Sequence, residues 1–191
     1  MNKRPEITAQ TRKNLLDAFW QIYCEKRIEK ITVQEITAKA GYNRGTFYQY
    51  FTDVYDVLEQ IEASVLPNIE KHQNAGISMD FHAALRHLIY VYSQNKKYFA
   101  VLLGKKGDPV FQQKIKNVYK AFAQLLFPPI AADDFISQCT WEYAISAILG
   151  AMTYCFTREE NPDIEKMVQL LWHLLNNGVI TSFQPDTFDE S

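Results

Sequence analysis

Residues 32–51 read TVQEITAKAGYNRGTFYQYF. Thr32 stands three residues before Glu35. That is the spacing of a capping box, in which hydroxyl and carboxylate satisfy each other's helix-start amides. A short helix is therefore predicted over Val33–Ala40, with Val33, Ile36 and Ala40 turned inward. Gly41 follows, and glycine accepts the left-handed backbone that ends a helix. Asn43 is a good N-cap residue, so a second short helix is predicted over Arg44–Tyr50. Two short helices joined through Ala40-Gly41-Tyr42 make a helix-turn-helix.

The flanks extend the helical pattern in both directions. Leu15, Ala18, Phe19, Ile22 and Tyr23 form an apolar stripe, so Thr8–Lys26 is predicted as an amphipathic helix. Asp53 caps a helix whose inner face is Val54, Val57, Leu58, Ile61 and Val65, and Pro67 is expected to kink or interrupt it. Phe81, Leu85, Leu88, Ile89 and Tyr92 mark another helix, and Tyr98–Gly104 a short one. Phe111, Ile115, Val118, Phe122 and Leu125 define the next, stopped by Pro128-Pro129. The last two are predicted over Asp133–Thr157 and Pro162–Gly178. No sustained alternation with the period of a strand occurs. The fold class is all-α: an N-terminal three-helix domain over residues 1–52 and a larger helical domain over 53–191, about nine helices in total.

Composition excludes several classes. Hydrophobic residues make up 47% of the 191 residues and charged residues 22%, which excludes extensive disorder. Seven Gly and seven Pro supply too few turns for an all-β protein. The most apolar stretch, Tyr143–Phe156, is interrupted by Ser146, Gly150 and Thr153 and reads as a buried helix, not a membrane span. The start, MNKRPEITAQ, lacks the apolar segment of a signal peptide, and three scattered cysteines (Cys24, Cys139, Cys155) suit a reducing compartment. A cytoplasmic protein is expected. Net charge is −2, yet residues 1–52 carry nine Lys/Arg against five Asp/Glu and the remainder carries eleven against seventeen. A basic unit on an acidic body is suited to a polyanion partner.

The residues of the helix-turn-helix specify that partner. Arg44 heads the second helix, and its fork matches guanine O6 and N7 in a major groove. Gly45 removes bulk there, so that the backbone or Thr46 can approach a base edge or a thymine methyl. Gln49 lies one turn further on. Tyr48 and Tyr50 offer hydroxyls to phosphate, and Thr32, Gln34, Tyr42 and Asn43 sit at the rim as further contacts. Helix-start amides add positive potential toward phosphates. Lys3, Arg4, Arg12 and Lys13 extend the basic surface.

This stretch resembles the DNA-binding domain of the TetR family of bacterial transcriptional regulators. The resemblance is carried by Thr32, Val33, Ile36, Ala40, Gly41, Gly45, Thr46, Tyr48, Tyr50 and Phe51. It is close over residues 32–51 and extends, with the first and fourth helices, over the N-terminal third. It implies a homodimer, a ligand pocket in the C-terminal domain, and a ligand-driven swing of the fourth helix that separates the two recognition helices. It also implies a bacterial cytoplasmic protein, on the nucleoid when bound. The sequence departs from the family pattern at Asn43, at Thr37 for the usual Ala, and at Val54, where a phosphate-binding Lys is usual. Asp53 and Asp56 nearby repel phosphate, so weak non-specific affinity is expected.

The predicted function is a sequence-specific, dimeric repressor on a palindromic double-stranded operator, released by a small-molecule effector. Two alternatives stay open: a ligand-free DNA-binding protein gated by a protein partner, and a dimeric interaction module that has lost DNA binding. Eighteen of the 26 aromatic residues lie beyond residue 52, and an apolar cavity is expected there. Its candidate lining is Tyr92, Phe99, Phe122, Trp141 and Tyr143, with His87, Gln138 and Glu142 as polar handles. Phe135–Phe156 is apolar almost all round, so a partner surface is expected over it. The candidate interface is a four-helix bundle using Ala147, Gly150 and Ala151 with Met167, Leu171 and Leu174. No nucleophile–base pair, phosphate loop or metal-ligand spacing is legible, so no enzyme activity, cofactor or metal is predicted. His82 and His87 lie five apart, which does not put both on one helix face.

Overall fold

The computed structural model describes residues 5–66, 81–104, 107–126, 134–157 and 163–178, of which residues 5, 6, 81, 109, 122–126 and 156 are described by their backbone only. Lys3, Arg4, Pro67 and Pro128-Pro129 lie outside the described residues. Among those described, nine α-helices and no strand occur. They are α1 (Pro5–Tyr23), α2 (Val33–Ala40), α3 (Arg44–Phe47), α4 (Val54–Val65), α5 (Phe81–Gln94), α6 (Lys96–Leu102), α7 (Pro109–Leu126), α8 (Phe135–Phe156) and α9 (Ile164–Asn177). A 3-10 turn at Ile28–Lys30 joins α1 to α2. Among the described residues, each predicted helix has an observed counterpart in the same order.

The chain divides into two compact units. The first comprises residues through Val65, joined by Asp108. Its core is Leu15, Phe19 and Tyr23 of α1, Ile36 of α2, Phe47 and Phe51 around α3, and Val57, Leu58 and Ile61 of α4, all essentially buried. The compact unit thus extends beyond residue 52, because α4 packs on α1. Phe19 stacks on Tyr23 at 5.6 Å between ring centroids, and Phe47 meets Phe51 at 5.4 Å. Burial, with the Asp108 and Glu62 carboxylates next in weight, pushes the Tyr23 hydroxyl up to about 12.

The second unit holds α5 to α9. α5 packs on α9, and α6 on α8. Tyr92 of α5 stacks nearly parallel on Phe99 of α6 at 3.8 Å, and Phe99 continues to Phe111 of α7 at 6.0 Å. Ile115, Ile145, Leu149 and Met152 complete that core. Arg86 and Glu165 form an ion pair on the rim of the α5–α9 contact. Asp134 caps α8 through Ser137, and Asp163 caps α9 through Glu165 and Lys166. Among the described residues no helix is long and apolar enough to cross a membrane, and no group of side chains is arranged to hold a metal.

Candidate nucleic-acid interface

The helix-turn-helix is fixed by local chemistry. The Thr32 hydroxyl accepts from the Glu35 amide at 3.3 Å, and Glu35 Oε2 accepts from the Thr32 amide at 3.0 Å, completing the capping box. The other Glu35 oxygen pairs with Lys26. The Lys26 contact first, and the Thr32 amide second, hold the Glu35 carboxyl below its ordinary value. Both Thr32 donors are engaged by Glu35, so the residue anchors α2 and keeps no free donor for a phosphate. Gly41 adopts φ 75°, the left-handed conformation that glycine supplies without strain.

α3 begins at Arg44 as predicted but ends at Phe47, and Tyr48–Tyr50 continue as turns. Gln49 and Tyr50 donate to the carbonyls three residues back, Phe51 donates to the Phe47 carbonyl at 3.1 Å, and the Phe47 and Phe51 rings, four residues apart, are both buried. Asn43 caps α3, its Oδ1 accepting from the Thr46 amide at 2.8 Å and from the Thr46 hydroxyl at 3.2 Å. The hydroxyl proton of Thr46 is therefore spent, while its methyl group and lone pairs remain for a base edge. A Cβ on Gly45 would stand 3.2 Å from Asn43 Oδ1, tighter than an ordinary contact. Glycine at this position thus leaves room for the cap as well as for an approaching surface.

Around this helix the polar side chains are organised in pairs. Arg44 is exposed and donates through Nη2 to Gln34 Oε1 at 3.2 Å. Tyr42, half-buried, accepts from Asn14 Nδ2 at 3.0 Å, and Asn14 Oδ1 accepts in turn from Gln10 at 2.8 Å. Tyr48 is 58% exposed and stands edge-on to Phe47. Gln49 is exposed, and Tyr50 is half-buried against Phe51. The candidate contacts Gln34, Tyr42, Asn43, Arg44, Thr46, Tyr48 and Gln49 thus share one solvent-accessible unit, with Tyr50 divided between packing and surface.

The acidic residues beyond α3 have structural work. Asp53 Oδ1 accepts the amides of Tyr55 and Asp56 at 2.8 and 2.9 Å, capping α4. Asp56 Oδ2 accepts the Thr52 amide at 2.7 Å, and its Oδ1 accepts from Gln60 at 2.9 Å. The Thr52 amide, then Gln60, hold the Asp56 carboxyl below its ordinary value. Gln60 also accepts from Arg12, whose guanidinium lies 6.0 Å from the Phe51 ring centroid. Within this chain Thr52, Asp56 and Gln60 follow at four-residue spacing, but its link to α1 has no local pattern in the sequence, since Arg12 and Gln60 are 48 residues apart.

The residues anticipated to line a ligand cavity do not all converge. Tyr92 and Phe99 are buried together, and His87 and Trp141 are partly buried. Gln138, Glu142 and Tyr143 stand on the exposed side of α8, and Glu142 pairs with Lys116 of α7 at 2.7 Å. The side chain of Phe122 lies outside the described residues. Among the anticipated interface residues, Ala147 and Gly150 are exposed, and Ala151 and Leu174 are partly so. Met167 and Leu171 are not: they are 5% and 3% exposed within the single chain, on the side of α9 that packs on α5. A heptad-like stripe specifies a buried face but not what buries it. The exposed apolar residues of α9 are instead Leu170 and Trp172.

Comparison with known proteins bears on this arrangement. Residues 15–61 match the family model of the bacterial regulatory proteins, tetR family. The HTH-type transcriptional regulator SrpR of Pseudomonas putida is 27% identical over 101 residues, 51% of this chain and 47% of that protein. The chain thus spans about half the length of this curated relative. An uncharacterized HTH-type transcriptional regulator of Pseudomonas putida, TtgW, is 27% identical over 101 residues, 51% of this chain and 75% of that protein. A TetR transcriptional regulator from Streptococcus agalactiae 2603V has the same fold, with a TM-score of 0.66 over 89% of this chain and 96% of its own at 18% identity. The helix-turn-helix thus lies inside residues that match the bacterial regulatory proteins of the tetR family, and the chain shares its all-α fold over most of its length with a TetR regulator.

Proposed function

We propose that the chain is a sequence-specific DNA-binding transcriptional regulator. In this proposal it is a dimeric repressor that holds a palindromic operator and leaves it when a small-molecule effector binds the C-terminal unit. The observation that carries the DNA-binding part is the makeup of α3 and the turn that follows it. Arg44, Tyr48 and Gln49 stand in solvent while Phe47 and Phe51, directly behind them, are buried. A short helix backed by buried rings, with a guanidinium at its start and the Gln49 amide in the turn that follows, has the donors for a major groove. The positive balance of residues 1–52 supports contact with the phosphate backbone.

Dimerisation is supported by α8. Phe135, Ile136, Tyr143 and Tyr154 are exposed large apolar residues along this one helix, and Ala147 and Gly150 give it a low profile between them. A second copy, related by two-fold symmetry, would cover such a surface and set two α3 helices against one palindrome. Effector release is supported by two buried donors, the Tyr119 hydroxyl and Trp141 Nε1, which lack a hydrogen-bond partner among the described residues. Buried polar groups left unpaired are costly, and a bound molecule carrying acceptors would satisfy them.

Selection from a random double-stranded DNA pool at near-physiological salt tests this function. The expected result is an enriched palindrome with half-site centres about one helical turn or somewhat more apart. Affinity for it is expected to fall steeply as salt rises. A confirmed dimer that enriches nothing at any salt concentration would overturn the operator-binding function.

A further inference from the structure

The contact between the two helices of the motif points beyond the presence of a base-reading arginine. Arg44 is the first residue of α3 and Gln34 the second of α2, and the Arg44 Nη2 to Gln34 Oε1 hydrogen bond at 3.2 Å spans the turn between them. Among the described residues this is the one hydrogen bond of the Arg44 side chain, and no carboxylate pairs with it. Both side chains are exposed, so the pair lies on the surface that would face DNA.

We propose that Gln34 is a positioning residue that sets base specificity by holding the Arg44 guanidinium in its reading orientation, an inference that rests on Arg44 reading a base. An arginine carries five N–H donors in a planar fork. Gln34 takes one of the two Nη2 hydrogens. Whichever it takes, one complete two-hydrogen edge remains, either Nη1 with Nη2 or Nε with Nη2. That is the donor pair a bidentate contact to guanine O6 and N7 requires. A free arginine would have to be ordered on binding, at a cost in rotamer entropy; the hydrogen bond to α2 restricts it beforehand.

The choice of amide has its own logic. The Gln34 oxygen is committed to Arg44, so its NH₂ group points away as a donor, the group a phosphate oxygen accepts from. A phosphate–Gln34–Arg44–guanine chain ties the register of the backbone to the reading of the base. Glutamate at this position would neutralise the guanidinium and repel the phosphate. Glutamine orients without removing charge.

The test uses the full chain and selection on random double-stranded DNA, comparing unaltered protein, Arg44→Ala, Gln34→Met and the double variant. Methionine keeps the length and apolar stem of glutamine without the acceptor. Arg44→Ala is expected to flatten preference at one base pair per half-site. Gln34→Met is expected to reduce preference at that same base pair by roughly 2-fold to 10-fold and to add little in the Arg44→Ala background. Thermal unfolding of Gln34→Met is expected to match the unaltered chain. If Arg44→Ala leaves base preference intact, or the unaltered chain enriches nothing, the base-reading role of Arg44 fails and Gln34 loses its role with it. If Arg44→Ala flattens the position but Gln34→Met does not, or weakens all sequences equally, the positioning role alone is overturned.

Discussion

Arg12 of α1 donates to Gln60 of α4, and the same guanidinium lies 6.0 Å from the centroid of the Phe51 ring at the end of the recognition segment. Gln60 passes the connection to Asp56, which accepts the Thr52 amide in the turn between α3 and α4. The first helix is therefore joined, across 48 residues of sequence, to α4 and to the turn that leads into it from the recognition segment. A change in the pose of α4 has to break or carry this chain.

Asp56 gives that chain a pH dependence. The Thr52 amide, more than Gln60, depresses its folded-state pKa below the ordinary aspartate value. A depressed carboxylate contributes stability that is present above the unfolded value near 3.9 and is lost as pH falls through the folded one. The difference in thermal stability between the unaltered chain and Asp56→Asn is therefore expected to shrink progressively below about pH 4. Glu35 and Asp134, also depressed, act in both proteins and cancel in the difference. Melting curves from pH 6 to pH 2 check this; a difference independent of pH would remove Asp56 from the balance.

Arg44→Ala is expected to cost about 1–3 kcal/mol of operator affinity and to relax discrimination at one base pair in each half-site. Its loss also removes a positive charge, so the salt slope should fall slightly. Competition titrations against single-base operator variants read both effects. Unchanged affinity and preference would show that the exposed guanidinium does not face bases.

Tyr42 has a different signature. Asn14 donates to its oxygen at 3.0 Å, so the hydroxyl proton is turned away and is available to a phosphate. Tyr42→Phe should weaken binding to every sequence alike, by about 0.5–1.5 kcal/mol. Because the hydroxyl is neutral, no counterion is released with it, and the salt slope should not change. A change in base preference would contradict a phosphate role. This contrast with Arg44 separates positioning contacts from reading contacts on one motif.

The helix-turn-helix is legible in the sequence because its signals are local: Thr32 with Glu35, Gly41 with its positive φ, Asn43 with Thr46. The end of α3 is not, since Phe47 and Phe51 stand four apart, a spacing that a continuing helix would bury equally well, and no local signal marks the change to the i→i−3 bonds of Gln49 and Tyr50. Glycine at 45 reads in the sequence only as clearance for DNA, whereas its nearest neighbour is the Asn43 cap. The Arg12–Gln60 and Arg44–Gln34 bonds join residues that no periodicity associates. On α8, uniform hydrophobicity hides which side is inward, so Gln138, Glu142 and Tyr143 read as cavity residues although they face solvent in the single chain.

The same ambiguity makes Gly150 and Met167 a useful pair. A Cβ at Gly150 would meet nothing within 4 Å, and the residue is exposed. Gly150→Leu therefore has room in the single chain and should raise the intrinsic stability of α8 by up to about 1 kcal/mol. If α8 meets a second copy there, the added side chain overpacks the contact, at a cost of about 1–3 kcal/mol. Met167 is buried against its own chain, so Met167→Ala should cost about 2–5 kcal/mol in unfolding. Sedimentation equilibrium and denaturant unfolding on the two variants distinguish the roles. The expected pattern is a weakened dimer with a sound fold for Gly150→Leu, and a weakened fold for Met167→Ala. Unaltered association of Gly150→Leu would take the middle of α8 out of the subunit contact and leave Leu170 and Trp172 of α9 as the exposed apolar surface to test next.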